Sequence, residues 1–331
     1  MKKILITGAS GFIGNFLIEE ALKRNYEVYA AIRKSSKIDH LKNKAVKFIE
    51  IDFANKEELQ SRINSVPEFD YIIHNAGITK SVKKNSFFEI NFQYTKNLIE
   101  AISSGNHVPL KFIYISSLSA AGPGNADISS PISIADVADP ITNYGLSKLA
   151  SEKYIAEQTN IPYIIVRPTA VYGPADKDFL ELVKLINHHI DLMIGRHEQA
   201  LSFIYVKDLS HLLFNLLESS IINKTYMASD GNVYSKTAMS DLIARIMQKR
   251  IHRIYIPIAV AKIIAGISGS MARITGKATV INTEKIKEFS AANWACTISP
   301  LTDDINFKAN YTLEQGLTET IAWYKQKGWI K

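Results

Sequence analysis

The stretch ILITGASGFIGNFLIEE, residues 4–20, restricts the fold of this chain more than any other. A short β-branched run breaks at Gly8. Gly11 and Gly14 follow at equal gaps of three, and helical spacing then takes over. Glycines at such a strand-to-helix turn let the backbone bend sharply and approach a pyrophosphate, whose charge then rests on the helix N-terminus. The plain alternative is a glycine-rich turn with no ligand. The position directly after the first strand favours dinucleotide binding.

The rhythm continues downstream. YEVYAAIR, VKFIEID, FDYIIHNAG, LKFIYISS and PYIIVRPT read as strands that are apolar almost throughout, with helical patterns between them. Such alternation predicts an α/β fold with a doubly wound parallel sheet of Rossmann type, covered on both faces. After Pro174 the pattern shifts toward helices and loops, which predicts a smaller, mainly helical C-terminal lobe for substrate. SFIYV and KTYMAS look like late additions to the first lobe. The expected division is 1–174 with 201–228 for the cofactor and 175–200 with 229–331 for the substrate.

An acid is expected near the end of strand two where NAD ribose hydroxyls are bound. Here the sequence reads AAIRKSSK, with Arg33 in that zone. A guanidinium can grip a 2′-phosphate bidentately where a carboxylate would repel it, so NADP is expected, with NAD as the alternative. Asp52 ends strand three; it suits either a hydrogen bond to the adenine amino group or a cap for the helix starting NKEEL. A net charge of +7 is modest, and the basic clusters in 33–47 and 245–253 lack the interleaved aromatics of a nucleic-acid groove. Cys296 is the only cysteine, which suggests a reducing compartment, and the apolar start MKKILITGAS is too short for a secretory h-region. A cytoplasmic protein is expected.

In NYGLSKLASEK, Tyr144 and Lys148 stand four positions apart, so on a helix both can face one cleft. Alone the pair is common. In company with TGASGFIG (7–14), DYIIHNAG (70–77), FIYISSLSAAG (112–122), PITNYGLSKLASEK (140–153) and VRPTAVYGP (166–174), it is similar to the extended short-chain dehydrogenase/reductases. That group includes nucleotide-sugar epimerases and dehydratases, dihydroflavonol reductases and 3β-hydroxysteroid dehydrogenases. The resemblance spans the first half in order and is loose beyond it. It implies Tyr144 as acid/base, Lys148 as the ammonium that primes the phenol and holds the nicotinamide ribose, and Ser117 as the hydroxyl on the substrate oxygen, with Ser119 as its rival and a substrate contact. It further implies cofactor contacts at Gly8, Gly11, Phe12, Ile13, Gly14, Arg33, Asp52, Phe53, Asn75, Ala76, Gly77, Asn91, Pro168, Thr169 and Val171, besides Tyr144 and Lys148. A homodimer through helices of the first lobe is also the family's pattern. Ser116 reads as cofactor-side or structural, and His74 as structural.

On the substrate side, Arg196 could bind a diphosphate or be a charged loop tip. His188 and His189 lack a carboxylate or cysteine at ligand spacing, so no metal is expected. IPIAVAKIIAGISGSMARI, 256–274, is predicted as a core or lid helix. A flap over a greasy substrate, or a helix on a membrane surface with Arg253 and Arg273 at its ends, is less favoured. The leading function is hydride transfer between a ketone and a secondary alcohol on a small hydroxyl or keto compound. The alternatives are a nucleotide-sugar epimerase or dehydratase with bound NAD, and a cofactor-sensing scaffold without turnover.

Overall fold

A computed structural model of the chain describes residues 1–42, 44–83, 85–105, 107–157, 160–275 and 283–331, with 267 and 269–275 described by their backbone. In β1 (Lys3–Thr7) the side chains of Ile4, Leu5 and Ile6 are fully buried. It leads through the glycine turn into α1 (Phe12–Lys23). Then come β2 (Glu27–Ile32), β3 (Val46–Glu50), α2 (Lys56–Ser65) and β4 (Tyr71–His74). Next is α3 (Asn85–Phe87), continued through a π-helical turn at Phe88–Gln93 into α4 (Tyr94–Ser103). Strand β5 (Lys111–Ile115), helix α5 (Asn143–Glu157) and strand β6 (Tyr163–Pro168) complete the alternation read from the sequence.

Beyond β6 lie β7 (Ala170–Tyr172), α6 (Lys177–Asn187), β8 (Ile190–Ile194), β9 (Ala200–Leu201), β10 (Phe203–Tyr205), α7 (Val206–Glu218) and β11 (Lys224–Ala228). The remainder comprises β12 (Tyr234–Ser235), α8 (Ala238–Ile246), β13 (His252–Ile256), α9 (Ile258–Thr275), α10 (Thr283–Ser290), β14 (Asn293–Trp294), α11 (Ser299–Ile305) and α12 (Leu313–Gln326).

Seven strands form one parallel sheet in the order β11-β6-β5-β4-β1-β2-β3. The order reverses direction between β1 and β4, and in open sheets of this kind the crevice at that switch point receives ligands. Side chains alternate between two cores, as the pleat requires. Ile4, Ile6, Ile113 and Ile164 face α1 and α7 through Leu17, Leu209 and Leu213. On the opposite face, Leu5, Ile72, Phe112 and Ile165 meet Leu98 and Ile102 of α4.

Of the two expected late additions, KTYMA joins the main sheet as β11 beside β6. The other does not. Phe203–Tyr205 pairs with β7 in a separate parallel ladder. Pro168 has no N–H to extend the ladder with β5, and after Thr169 makes a last bond to Ala228 O the chain takes a new partner in β10. A third core joins β7 and β10 to α6, α8 and α12. Among the described residues no helix is long and apolar enough to cross a membrane.

Candidate active site

The glycine turn is built for close approach. Gly8 has φ +63°, and a Cβ there would come within 2.7 Å of the Asn75 carbonyl oxygen. At Gly14 a Cβ would overlap the Gly8 carbonyl and Ala9 backbone. Gly11 donates its N–H to Gly8 O at 3.0 Å and caps α1 without any side-chain bond, so the amides of Phe12 and Ile13 at the helix start have no side-chain cap. Asn75 Nδ2 donates to Gly8 O at 3.3 Å, bringing the Asn75–Gly77 segment against the same turn. Backbone this tight, next to uncapped helix donors, fits a dinucleotide diphosphate.

Arg33 directly follows β2 and is exposed; its backbone N–H donates to Ser36 Oγ at 3.0 Å. The Tyr94 phenol is pushed up mainly by burial and by Glu89; the Asp52 charge adds to this and the Arg33 charge opposes it. Both charges thus act on the same phenol, at the ends of neighbouring strands. Asp52 does not cap α2. Asn55 does, its Oδ1 accepting Glu58 N–H at 3.1 Å, while Asp52 Oδ1 accepts the Ala54 N–H at 2.9 Å and stays exposed. Phe53 is buried between Tyr94 and His74, with ring centroids 6.5 and 6.1 Å apart.

Two predicted residues, Ser117 and Tyr144, come together, and Lys148 follows one turn along α5. The Ser117 hydroxyl lies beside the Tyr144 phenol, close enough to pull its pKa down. Phe87 packs edge-on to the Tyr144 ring, centroids 6.3 Å apart. Burial pushes Tyr144 up to about 12; the Ser117 hydroxyl pulls it down and the Glu288 charge pushes it up. Priming by the neighbouring ammonium was expected to do the opposite, and the geometry explains the difference. Lys148 is buried, donates to Ile115 O at 2.8 Å and lies 4.7 Å from the centre of the Tyr114 ring. Burial lowers Lys148 to about 8, with the Glu152 charge opposing.

Asn91 sits in the π-helical turn, where its side chain bridges three elements. Its Oδ1 accepts Ile78 N–H at 2.8 Å, and its Nδ2 donates to Ile78 O at 3.1 Å and to Ser147 Oγ at 3.0 Å. A Cβ on Gly77 would lie 2.9 Å from Asn91 Oδ1 and 3.5 Å from Lys148 Nζ, so glycine there leaves room for both head groups. Beneath them His74 is structural. Thr7 Oγ1 accepts the N–H groups of Asn75 and Ala76, at 3.1 and 3.0 Å, so its own proton goes to His74 Nδ1 at 2.8 Å. The ring proton therefore lies on Nε2 and is donated to Thr95 Oγ1 at 2.9 Å, whose hydroxyl donates to Asn91 O at 2.6 Å. Burial and the Lys148 charge hold this imidazole neutral, at about 3.

Pro168 is buried at the end of β6. Both the N–H and the hydroxyl of Thr169 go to Ala228 O, at 2.9 and 3.2 Å, so Thr169 is taken up by the sheet edge. Val171 is partly buried between two cores. Ser119 donates its N–H to Ser117 Oγ at 3.1 Å and its hydroxyl to Glu288 Oε1 at 3.3 Å. Arg196 is not brought to this cluster; it is exposed, and its guanidinium lies 5.1 Å over the Tyr255 ring. Among the described residues no group of three or more His, Cys, Asp or Glu could hold a metal.

A family model described as the NAD dependent epimerase/dehydratase family matches residues 4–228. The chain belongs to this family. It is 27% identical to a UDP-glucose 4-epimerase of Vibrio cholerae, over 98% of this chain and 96% of that protein. It is 23% identical to a ceramide reductase of Caulobacter vibrioides, over 99% of this chain and 96% of that protein. A solved UDP-glucose 4-epimerase of Thermotoga maritima with UDP-glucose superimposes with a TM-score of 0.80 at 20% identity, covering 98% of this chain and 99% of that one. The chain is thus an enzyme of the short-chain dehydrogenase/reductase superfamily with a nicotinamide dinucleotide as its cofactor class.

Several residues of this epimerase/dehydratase chain lie at the site without having been singled out. Gly145 allows α5 to press on the loop after β5; a Cβ would overlap Ser119 O. A helix-weakening glycine beside the key tyrosine was the available signal. Arg167 and Glu152 form a buried pair, Nη2 to Oε2 at 2.6 Å and Nε to Oε1 at 3.0 Å, and Ser116 donates its hydroxyl to the same carboxylate. Ser116 is therefore structural. From α10, Glu284 accepts the Asn143 N–H at the start of α5, and Glu288 reaches Ser119 while held by Lys285 Nζ at 2.7 Å. Nothing in the sequence pointed to α10, which is more than 130 residues from the tyrosine.

Proposed function

We propose that this chain is an NADP(H)-dependent oxidoreductase that interconverts a ketone and a secondary alcohol, with Tyr144 as the proton-transferring group. The observation that supports it most is the Ser117 hydroxyl beside the Tyr144 phenol, with buried Lys148 one helical turn along α5 and its ammonium near Gly77. A nicotinamide dinucleotide, when bound, gives or takes the hydride. The chain's own part is to hold and protonate. The glycine turn and the amides of Phe12 and Ile13 would hold the diphosphate, Arg33 the 2′-phosphate, Asp52 and Phe53 the adenine, and the Asn75–Gly77 segment with Pro168 and Val171 the far half. Lys148 has three donors and gives one to Ile115 O, leaving others for ribose hydroxyls. Tyr144 is protonated throughout the neutral range, which suits it to give a proton to a ketone oxygen that Ser117 holds.

The lobe division fits this reading. With β11 in the main sheet and α7 on its face, 1–174 and 201–228 would hold the cofactor; 175–200 and 229–331 would cover the substrate. The absence of an acid at the end of β2 supports NADP over NAD. Arg33→Asp is expected to shift the NADPH-to-NADH preference toward NADH by about one to two orders of magnitude, since the change replaces a charge-assisted bond with repulsion. An unchanged ratio of kcat/KM values for the two cofactors refutes the arginine clamp.

A second reading, an epimerase of a nucleotide sugar, is supported by the likeness to the Vibrio cholerae enzyme. Such an enzyme keeps its cofactor through the cycle. Mass spectrometry of freshly purified, denatured protein separates the two. The expected result is substoichiometric cofactor, as for a reductase that exchanges it each turn; a full complement of NAD+ would favour the epimerase.

A further inference from the structure

The apolar segment 256–274, in the middle of the chain's second half, forms a surface that the reaction at Tyr144 does not use. In α9, Ala261 and Ala265 turn inward onto Ile194, Ile256 and Ile286. Val260, Ile263 and Ile264 recur at i, i+3 and i+4, so they form one stripe on a different side of the helix. Their exposures are 44%, 63% and 41%. The ladder beneath extends that surface. Ile194 pairs with Ile256 and Leu192 with Ile254, two residues apart and therefore on one face of the β8–β13 pair. α9 covers the first pair and leaves the second bare, at 38% and 47% exposure. A contiguous exposed apolar face of this kind marks an interaction site.

Charge says what it meets. From residue 242 to residue 283 the sequence has no Asp or Glu, where the chain's average would place about four, and it holds Arg245, Lys249, Arg250, Arg253, Lys262, Arg273 and Lys277. Arg245 pairs with Glu314, and Arg253 with Asp191 and Asp241. Lys249, Arg250 and Lys262 have no carboxylate in ion-pair range among the described residues. The side chain of Arg273 lies outside the described residues. Arg250 precedes β13 at one end of the bare ladder and Arg196 follows β8 at the other. Asp191 and Asp241 neutralise Arg253, and Glu198 lies near Arg196, but Lys249, Arg250 and Lys262 keep an excess of positive charge around the apolar side chains, which matches the interface of an anionic bilayer.

We propose that the outer side of α9 and the bare end of the β8–β13 ladder dock on an anionic lipid surface, from which a long-chain substrate is drawn. The docking stands on this surface alone; a lipid that bears a ketone or secondary alcohol rests on the function proposed above. The face lies one helix from the chemistry. α9 backs onto Ile286 of α10, and α10 places Glu284 on the Asn143 amide and Glu288 on Ser119 beside Tyr144. The sequence alone favoured a core or lid helix; the exposure of the stripe reverses that preference.

The test is co-sedimentation of the full chain, loaded with NADPH, with vesicles of equal parts phosphatidylcholine and phosphatidylglycerol, and with phosphatidylcholine alone. The anionic vesicles are expected to carry the protein down, less so as salt rises. Lys262→Glu should weaken this, and the double change Ile263→Asp with Ile264→Asp should cut partitioning by about tenfold or more, with thermal unfolding unchanged because both positions are exposed. Equal sedimentation with both vesicle types, sedimentation with neither, or a double variant that binds like the parent overturns the proposal. So does sedimentation velocity showing a dimer that the double variant splits, since a second copy would then cover the face. Tyr144→Phe should sediment like the parent. Should that variant keep its turnover, the oxidoreductase reading fails and the docking result stands.

Discussion

Tyr144→Phe is expected to lower ketone reduction by about a thousandfold while NADPH affinity stays within about twofold of the parent. The phenyl ring keeps its edge contact with Phe87, so the fold of the site has no reason to change. What goes is the phenolic proton beside Ser117. Ser117→Ala leaves that proton in place and removes only a partner, so its loss should be smaller. Single-turnover rates with a fluorescence titration of NADPH separate chemistry from binding. Turnover surviving in the phenylalanine variant would move the acid/base role to another group.

Glu152→Ala should destabilise the fold by about 3–5 kcal/mol, because it strands a guanidinium inside the protein. Arg167 is 7% exposed and Glu152 4%, and Ser116 donates to the same carboxylate. Glu152→Gln retains one acceptor oxygen and should fall between the two. Joint replacement of Glu152 and Arg167 by methionine should recover most of the loss, since neither charge is then left alone. Activity follows by a separate route. The Glu152 charge opposes the burial that holds Lys148 at about 8, so its removal lowers Lys148 further and leaves less of it charged at neutral pH. Urea unfolding of the four proteins measures the first effect, and a loss below about 1 kcal/mol would mean that water reaches the pair.

What could be read from the sequence was local. The glycine turn, the apolar strands and the four-residue spacing of Tyr144 and Lys148 all lie within single elements, where periodicity of two or 3.6 is visible in the letters. Placing β10 failed because Pro168 ends one ladder and nothing nearby says which strand takes over. Asp52 offered a cap, and the structure gives that place to Asn55 instead, three residues closer to the helix. The expectation that Lys148 would draw Tyr144 downward considered charge and spacing alone; enclosure outweighs both. Glu288, Glu284 and Arg167 come to the site across long stretches of chain, and such contacts leave no periodic trace.

The π-helical turn at Phe88–Gln93 has an implication for how the chain can change. Such a turn holds one residue more than an α-helical one. Deleting a single residue there would wind the segment back into regular helix with its two flanks still in phase, because one turn then spans the same rotation with one residue fewer. Phe87 would keep its place against the Tyr144 ring, while the widened turn that carries Asn91 to Ile78 and Ser147 would be gone. The extra residue thus serves the Asn91 bridge and not the packing on either side of it.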